Sequence, residues 1–266
     1  MRTPTDLSKE VNRSGFPLQI AIEHAINTSS REHGWSVLHR EHAWRSKNGD
    51  SGFADLILED GPRSSVLVIE CKRVLDSDWI FLTGTEPDKT FSSRLWVNNT
   101  ADHGKEHTGY FDVINYPACF TSEFCVVPGN SASDRPMLER VAADVLSATE
   151  ALALEEFPHL TARKFGFRCY GSLIVTTANL HLAELDPSKI SIQSGTADST
   201  NVRPVNWVRF RKQFSADFAV KPNQLDWSFS DLATAREKVV TVVNASHLTA
   251  FLSKWSFDSS SFRPLM

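Results

Sequence analysis

The sequence predicts an α/β protein, and three features of the residue pattern lead to this class. Two aliphatic, β-branched runs lie close together at residues 53–59 and 66–73, as in a β-hairpin. Apolar residues recur at helical spacing before this hairpin, in residues 16–27, and after it, in residues 138–154. A further run rich in Val, Ile and Thr follows within residues 168–185. Helices that alternate with strands in this way favour a sheet covered by helices.

The N-terminal region is predicted to contain the first helix. Residues 1–13 are polar and are expected to form a loose lead-in. From Phe16 to Asn27, apolar side chains recur every three or four residues, and Pro17 is tolerated in the first turn of a helix. The apolar positions are Leu18, Ile22, Ala25 and Ile26. Glu23 lies beside this stripe, so it either points toward a sheet or is an exposed helix glutamate.

A strand is predicted next, from Trp35 to Trp44, and it leads toward the hairpin. It carries His39, Glu41 and His42. The histidines are expected to face solvent, although contact with a phosphate group or water is an alternative. Glu41 is the alternative to Glu23 as a third carboxylate beside those of the hairpin.

The hairpin at residues 53–73 is the segment around which the chain is organised. Gly and Pro mark its turn at residues 60–65. Because side chains alternate along a strand, Glu70 and Lys72 share one face of the second strand, together with two valines. Like Glu70 and Lys72 in the second strand, Asp55 is a charged residue within an otherwise apolar strand.

The register of the hairpin decides whether these charged groups meet. If Glu59 pairs with Val66 across the turn, Asp55 lies opposite Glu70, with their Cβ atoms about 5 Å apart. The ammonium group of Lys72 follows two residues later on the same face. Two carboxylates and one ammonium group would then converge at one place on the sheet.

Two adjacent carboxylates such as Asp55 and Glu70 repel each other unless a positive group lies between them. Mg²⁺ suits this place because it prefers oxygen ligands and is commonly held by one or two carboxylates with water and phosphate. A neighbouring lysine stabilises charge on a phosphate oxygen or positions a water molecule. The pattern therefore indicates a metal-assisted phosphodiesterase.

The same residues resemble the motif of a known family. Asp55, fourteen intervening residues and then Glu70-Cys71-Lys72 on an apolar strand are similar to the motif of the PD-(D/E)XK nuclease superfamily, which has the restriction-endonuclease-like fold. Ala54 stands at the nominal proline position, a frequent departure in that superfamily. Glu23 matches the acidic residue that many of these nucleases carry on a preceding helix. The motif match covers roughly residues 14–73.

This resemblance implies an αβββαβ core, with a central mixed sheet flanked by helices. It implies Mg²⁺ or Mn²⁺ bound by Asp55 and Glu70, with help from Glu23 and from the main-chain carbonyl of Cys71. Lys72 would orient or activate the attacking water. Residues 1–266 are expected to form a single nuclease-like domain with insertions at about 74–133 and 186–230.

The two insertions are expected to recognise substrate or a partner. Residues 74 to about 120 show little regular pattern. His103 and His107 have the spacing of a metal pair on a helix, but Gly104 and polar neighbours favour a solvated loop. In the second insertion, basic and aromatic residues interleave at Arg203, Trp207, Arg209, Phe210, Arg211, Lys212 and Phe214. Such interleaving is typical of nucleic-acid binding or of an edge strand with a solvated basic face.

The C-terminal half is predicted to contain one long helix, from Arg135 to Glu156, which Pro158 ends. Residues 168–185 are expected to form one long or two short strands packed under this helix. Further predicted elements are a strand at 124–127, a helix start near Asp231, a strand at 239–243 and a helix at 246–255.

Composition limits the class of protein. The 266 residues are 41% hydrophobic and 23% charged, as in an ordinary globular protein. No apolar run approaches the roughly 20 residues of a membrane span, and residues 1–12 lack the core of a signal peptide, so a cytoplasmic protein is expected. The cysteines show no CxxC spacing and are expected to be reduced.

The leading expectation is a metal-dependent endonuclease that acts on DNA, with restriction or defence as a role suggested by the resemblance. The net charge of −4 is not that of a typical nucleic-acid binder, although a local basic groove is compatible with it. The main alternative is a catalytically inactive module of the same fold that binds nucleic acid or a protein. A structural ion pair between Glu70 and Lys72, with no metal, is a third interpretation. A homodimer or a partner protein bound through the insertions is also considered.

Overall fold

The structure is a computed structural model that describes residues 3–75, 77–128, 136–164, 166–197, 200–214, 233 and 235–265. The described helices are α1 (Pro4–Arg13), α2 (Phe16–Thr28), α3 (Ser30–His33), α4 (Met137–Ala162) and α5 (Leu248–Leu252). The first eight strands are β1 (Trp35–Arg45), β2 (Ser51–Asp60), β3 (Ser65–Lys72), β4 (Asp78–Thr83), β5 (Thr90–Asn99), β6 (His107–Cys119), β7 (Thr121–Ser122) and β8 (Phe124–Val126). The remaining strands are β9 (Phe167–Thr176), β10 (Asn179–Glu184), β11 (Asn201–Pro204), β12 (Trp207–Lys212), β13 (Lys238–Asn244) and β14 (Ser256–Phe257).

A central mixed sheet organises the described part of the chain. Its strands follow the order β1-β2-β3-β9-β13-β12-β7. Strands β1, β2 and β3 form an antiparallel meander, and β9 lies parallel to β3 after the crossover through α4. The sequence prediction of an α/β protein with a central mixed sheet flanked by helices is confirmed.

Helices cover both faces of this sheet because alternate strand residues are apolar on each face. Ile57, Val66 and Val68 belong to the core cluster that includes the inner side of α4. Leu58 and Leu67 belong to a second cluster, with α2 and α5. The two buried isoleucines of α2, Ile22 and Ile26, are among the positions predicted to be apolar. The charged residues of the hairpin therefore interrupt strands that are buried on both faces.

Strand β9 shares one of its edges between two partners. Its first half, Phe167–Tyr170, pairs with β5, and its second half, Leu173–Thr176, pairs with β13. Strand β6 pairs with β5, and the C-terminal segment packs on this hairpin through a third cluster that contains Phe262 and Leu265. The central sheet thus branches at β9.

The prediction of a loose lead-in at residues 1–13 is wrong, because residues 4–13 form α1. The Oγ1 atom of Thr3 accepts a hydrogen bond from the Asp6 amide at 3.2 Å, and the Asp6 carboxylate accepts one from the Thr3 amide at 3.1 Å. This reciprocal capping box, with Pro4 at the first helical position, starts the helix. The capping signal was present in the sequence, although the polar composition masked it.

The irregular structure predicted for residues 74–120 is also wrong, because the described part of this region contains β4, β5 and β6. Their pattern was hard to read because polar residues such as Asn98, Asn99 and Asn115 are buried in them. Strands β4 and β8 join β10 and β11 in a separate four-stranded sheet. The strand predicted at residues 124–127 is confirmed as β8.

The end of the long helix differs from the prediction. Helix α4 continues through Pro158 to Ala162, since a proline in the last turns removes only one main-chain hydrogen bond. The alternative of two strands within residues 168–185 is confirmed, with β9 in contact with α4 and β10 in the second sheet. The predicted helix start at Arg135 and the one near Asp231 lie outside the described residues. The strand predicted at 239–243 is confirmed as β13, and the last predicted helix is the shorter α5.

Candidate metal-binding and catalytic site

The β2–β3 hairpin has the register that the predicted site requires. The ladder starts with Glu59 opposite Val66 and continues to Leu56 opposite Ile69. The next opposed positions along the two strands are those of Asp55 and Glu70. The hairpin therefore brings these two carboxylates to neighbouring positions at one end of the sheet.

Asp55 is anchored by the main chain of β3. Its Oδ2 atom accepts a hydrogen bond from the Cys71 amide at 2.6 Å. The N–H and C=O groups of one strand residue point to the same side, so the Cys71 carbonyl also faces Asp55. A carboxylate with one oxygen held in this way, next to a main-chain carbonyl, provides hard oxygen donors at a fixed place.

Glu41 approaches Asp55 from the other neighbouring strand. Arg40 pairs with Leu56 and His42 pairs with Ala54, which places Glu41 at the position that faces Asp55. The backbone of Glu41 has φ +49°, in the left-handed region that costs a non-glycine residue roughly 1–2 kcal/mol. Such strained residues concentrate at functional sites, where the surrounding structure holds them in place.

Gln19 connects these groups to helix α2. Its side chain is 7% exposed, and its Nε2 atom donates hydrogen bonds to Glu41 Oε1 at 2.7 Å and to the Asp55 carbonyl at 2.9 Å. The sequence prediction did not single out Gln19. The available signal was its position one turn before Glu23, on the same face of α2.

Glu23, the predicted third carboxylate, forms an ion pair with Arg40, with Oε2 and Nη1 3.4 Å apart. The Arg40 side chain is exposed, so this pair lies at the rim of the helix and sheet. The geometry therefore places Glu41, the alternative carboxylate of the sequence analysis, directly beside Asp55, and leaves Glu23 engaged with a cation.

Burial and like charges raise the pKa of the two central carboxyl groups. For Glu70, burial is the largest cause and the charge of Asp55 the next, and together they raise its pKa from 4.5 to about 8. Lys72 opposes this increase, while Asp144 and Glu41 add to it. The single ammonium group of Lys72 therefore does not compensate the negative charges of the carboxylates around Glu70.

The pKa of Asp55 is raised in the same direction, first by burial and then by the charge of Glu41. The hydrogen bond from the Cys71 amide and the charge of Lys72 oppose the increase. Burial also raises the pKa of the Cys71 thiol, so Cys71 offers its main-chain carbonyl and not a thiolate.

The donor set fits a hard divalent cation held by few protein ligands. Within the described ranges, no three or more His, Cys, Asp or Glu side chains are grouped so as to hold a metal ion by themselves. Asp55, Glu70 and the Cys71 carbonyl form a smaller set, which suits Mg²⁺ because this ion keeps several water molecules and uses substrate oxygens. A cation here would also neutralise the charge that raises the pKa of Glu70.

The predicted histidines have different environments. His42 Nε2 is buried and has no hydrogen-bond partner among the described residues, and the His42 ring lies 5.8 Å from that of the exposed His39. His107 begins β6, and its Nε2 atom lies 3.3 Å from the Gly109 carbonyl oxygen. The disfavoured alternative of a metal pair on a helix does not apply to His103 and His107, because a short 3₁₀ turn ends at His103 and β6 starts at His107.

The basic and aromatic segment at residues 203–214 is not a free cationic surface. Arg209 is 1% exposed, and its guanidinium group donates to carbonyl oxygens of Thr90, Ser92, Asn115 and Pro117. The other described cations of this segment form ion pairs, namely Arg203 with Glu184, Arg211 with Glu237 and Lys212 with Glu139. Arg209 holds the β5–β6 hairpin against β12, so its guanidinium group is engaged inside the fold.

Comparison with protein-family models, with curated proteins and with solved structures finds no match to this chain. No helix of the described ranges has the length and apolar character needed to cross a membrane.

Proposed function

We propose that this protein is a divalent-metal-dependent nuclease of the PD-(D/E)XK type. The observation that carries the proposal is the group formed by Asp55, Glu70 and Lys72 on two adjacent strands. Its two carboxylates are held together against their repulsion, and the pKa of Glu70 rises to about 8. Such a costly arrangement is typical of a functional site that binds a cation.

The order of elements supports the restriction-endonuclease-like core within this proposal. Helix α2, strands β1 to β3, helix α4 and strand β9 follow one another along the chain, with some further strands inserted between β3 and α4. This sequence of elements has the αβββαβ order that the resemblance implies.

A bound Mg²⁺ or Mn²⁺ would polarise the scissile phosphate and stabilise the leaving oxygen. Asp55, Glu70 and the Cys71 carbonyl would hold it, and Glu41 would assist from β1, with Glu23 as the alternative. The anchored Asp55 carboxylate keeps its orientation because the Cys71 amide binds one of its oxygens.

Lys72 has a separate role in this reaction. Its ammonium group donates hydrogen bonds to the attacking water or to a phosphate oxygen on which charge develops. The water oxygen forms a new bond to phosphorus, the ester bond to the leaving sugar oxygen breaks, and that oxygen takes up a proton. Lys72 is therefore expected to affect the rate more than metal binding.

DNA is the proposed substrate class, with a role in restriction or defence as one biological setting, and both rest on the family resemblance. An inactive module that binds a protein is the second candidate. The observation that favours it is the engagement of the basic β12 segment in ion pairs and in the Arg209 network, together with the net charge of −4.

The test is a cleavage assay on circular duplex DNA, single-stranded DNA and RNA, each with Mg²⁺, Mn²⁺ or EDTA. Wild type is compared with Asp55→Asn and Lys72→Ala, and Lys189→Ala, an exposed lysine on a short 3₁₀ turn, is the matched control. Metal-dependent cleavage that only the two site variants abolish supports the proposal and identifies the substrate class. Absence of cleavage on every substrate, with no stabilisation by metal, would overturn it in favour of the binding module.

A further inference from the structure

A cavity lies at the turn end of the β2–β3 hairpin, away from the carboxylate site. Its volume is about 330 Å³, at the small end of the usual range for ligand pockets. Three segments supply its walls, namely residues 33–35, the hairpin turn between residues 60 and 65, and residues 255–257. Ser65 lines the cavity, and β3 rises about 3.4 Å per residue from there to Glu70, so the two places lie roughly 17 Å apart.

The main chain holds two of these walls together. The Gly61 amide donates a hydrogen bond to the Gly34 carbonyl oxygen at 3.0 Å, and Gly34 has φ +75°, in the left-handed region that favours glycine. Asp60 fixes the hairpin turn, because its Oδ1 atom accepts a hydrogen bond from the Ser65 amide at 2.9 Å. Its Oδ2 atom accepts one from the Ser64 hydroxyl group, also at 2.9 Å. The cavity is therefore bounded by turns of defined geometry.

Aromatic rings form the apolar part of the cavity. Trp35, Trp255 and Phe257 line it. The ring planes of Trp35 and Trp255 are 82° apart with centroids at 5.2 Å, and those of Trp255 and Phe257 are 85° apart with centroids at 6.1 Å. Neighbouring rings at nearly right angles form corners that present ring faces as well as edges. A ring face attracts a cation.

The charge of the lining indicates the sign of the ligand. Asp60 and His33 are the ionisable side chains among the described residues that line the cavity. His33 is neutral in this structure, because its Nδ1 atom accepts a hydrogen bond from the Trp35 amide at 3.0 Å and burial lowers its pKa. The Asp60 carboxylate accepts one hydrogen bond at each oxygen and keeps further lone pairs. The lining therefore has a net negative charge and favours a cation.

One buried polar atom of the lining has no partner among the described residues. Ser65 is 1% exposed, and its hydroxyl group forms no hydrogen bond within the described part of the chain. A buried hydroxyl group without a partner destabilises the folded state. The Ser65 side chain lies on the same face of β3 as Leu67, which belongs to the cluster that contains Trp35. An N–H group of a ligand on this aromatic side of the sheet would satisfy the hydroxyl group.

We propose that this cavity binds a small organic cation, namely a protonated primary amine with an apolar body. The apolar body would pack against the rings of Trp255 and Phe257. The ammonium group would donate hydrogen bonds to the Asp60 carboxylate and to the Ser65 hydroxyl group. Aromatic rings bind organic ammonium groups in proteins, and the carboxylate adds opposite charge and a strong acceptor. None of the described residues that line the cavity belongs to the carboxylate site, so this inference does not depend on nuclease activity.

The test is calorimetric titration of the full chain at neutral pH with benzylammonium and with benzyl alcohol, which has nearly the same shape but no charge. Benzylammonium is expected to bind at least about tenfold more tightly. Asp60→Asn keeps an acceptor for the Ser65 amide but removes the charge, so it should weaken benzylammonium binding about tenfold. The matched control is Asp186→Asn, because Asp186 also accepts hydrogen bonds from the amide and hydroxyl group of a serine, Ser188. It should bind like wild type.

Ser65→Ala separates ligand binding from an effect on folding. Without ligand, this variant should be at least as stable as wild type, because it removes a buried hydroxyl group that has no partner in the described residues. It should bind benzylammonium at least several-fold more weakly. Ser172→Ala is the matched control, since the Ser172 hydroxyl oxygen lies 2.7 Å from Thr149 Oγ1. That variant should lose stability and bind the amine like wild type.

Indole N–H resonances locate the bound amine. Those of Trp35 and Trp255 should shift on titration with benzylammonium, whereas that of Trp96, which belongs to the cluster on the α4 side of the sheet, should not. The proposal is overturned by equal affinity for benzylammonium and benzyl alcohol, by wild-type affinity in Asp60→Asn or Ser65→Ala, or by no binding up to about 10 mM.

Discussion

Replacement of Glu70 by Gln should stabilise the protein while it removes the proposed activity. The folded state raises the pKa of Glu70 from 4.5 to about 8, mainly through burial and next through the charge of Asp55. At pH 7 the folded state therefore keeps the Glu70 proton that the unfolded state releases, which costs the folded state about 1.4 kcal/mol for each of about 2.5 pH units, or roughly 3 kcal/mol. Gln keeps the shape of the side chain and carries no charge, so Glu70→Gln avoids this cost.

The sign of the pH dependence follows from the same shift. Between pH 4.5 and 8 the folded state holds the Glu70 proton more tightly than the unfolded state does. The stability from this group is thus complete below about pH 4.5 and is lost as the pH rises through about 8. Metal-free wild type should lose stability over this range, and Glu70→Gln should lose much less.

The assay is urea unfolding of metal-free protein at several values between about pH 5 and 8, with thermal melting as a second readout. At the upper end, Glu70→Gln should melt roughly 5–10 °C above wild type. Glu155→Gln, on the exposed side of α4, is the matched control and should follow wild type. The reasoning is refuted if Glu70→Gln and wild type show the same slope, or if the variant is less stable at pH 8.

Three other predictions concern the proposed metal site, the left-handed backbone of Glu41 and the buried Arg209. Saturating Mg²⁺ should stabilise wild type by about 2.7 kcal/mol at 100 times its dissociation constant, most strongly at high pH, and Asp55→Asn should lose this gain in a melting assay. Glu41→Gly should be about 1 kcal/mol more stable than Glu41→Ala in urea, because only glycine relieves the left-handed backbone; equal stabilities would contradict the strain. Arg209→Met should cost about 3 kcal/mol or more, because it leaves several buried carbonyl groups without their donor, whereas Arg211→Met should cost less than about 1 kcal/mol. Similar losses in the two arginine variants would argue against the assigned role of Arg209.

The hairpin could be predicted from the sequence because local rules determine it. Two aliphatic runs and a Gly-Pro turn fix the strands, and the period of two fixes which side chains share a face. The register with Glu59 opposite Val66 was a condition of the prediction, and the structure has this register. The neighbouring positions of Asp55 and Glu70 are a consequence of that register.

Other parts of the site depend on contacts that no local pattern contains. Glu41 faces Asp55 only because β1 pairs with β2 around a residue in left-handed conformation, and Gln19 reaches both only because α2 packs on that face. The burial of Arg209 likewise requires β12 to lie inside the sheet beside the β5–β6 hairpin. The sequence pattern alone is compatible with a solvated Arg209. In the fold, Arg209 is a buried hydrogen-bond donor to carbonyl groups of β5 and β6.

The branching of the sheet at β9 divides the molecule into two parts that can open separately. Strand β5 pairs with the first half of β9, before Gly171, and its hairpin partner β6 is held by the third cluster with the C-terminal segment and by the hydrogen bonds from Arg209. Strand β3 pairs with β9 from Cys169 to Thr176, and β13 pairs with the second half of β9, next to the candidate site. Native-state hydrogen exchange should therefore show one cooperative unit of lower opening free energy in β5, β6 and β14, while amides of β3 and β13 exchange only through global unfolding. The carboxylate centre would then remain rigid while the β5–β6 hairpin, on the other half of β9, opens and closes.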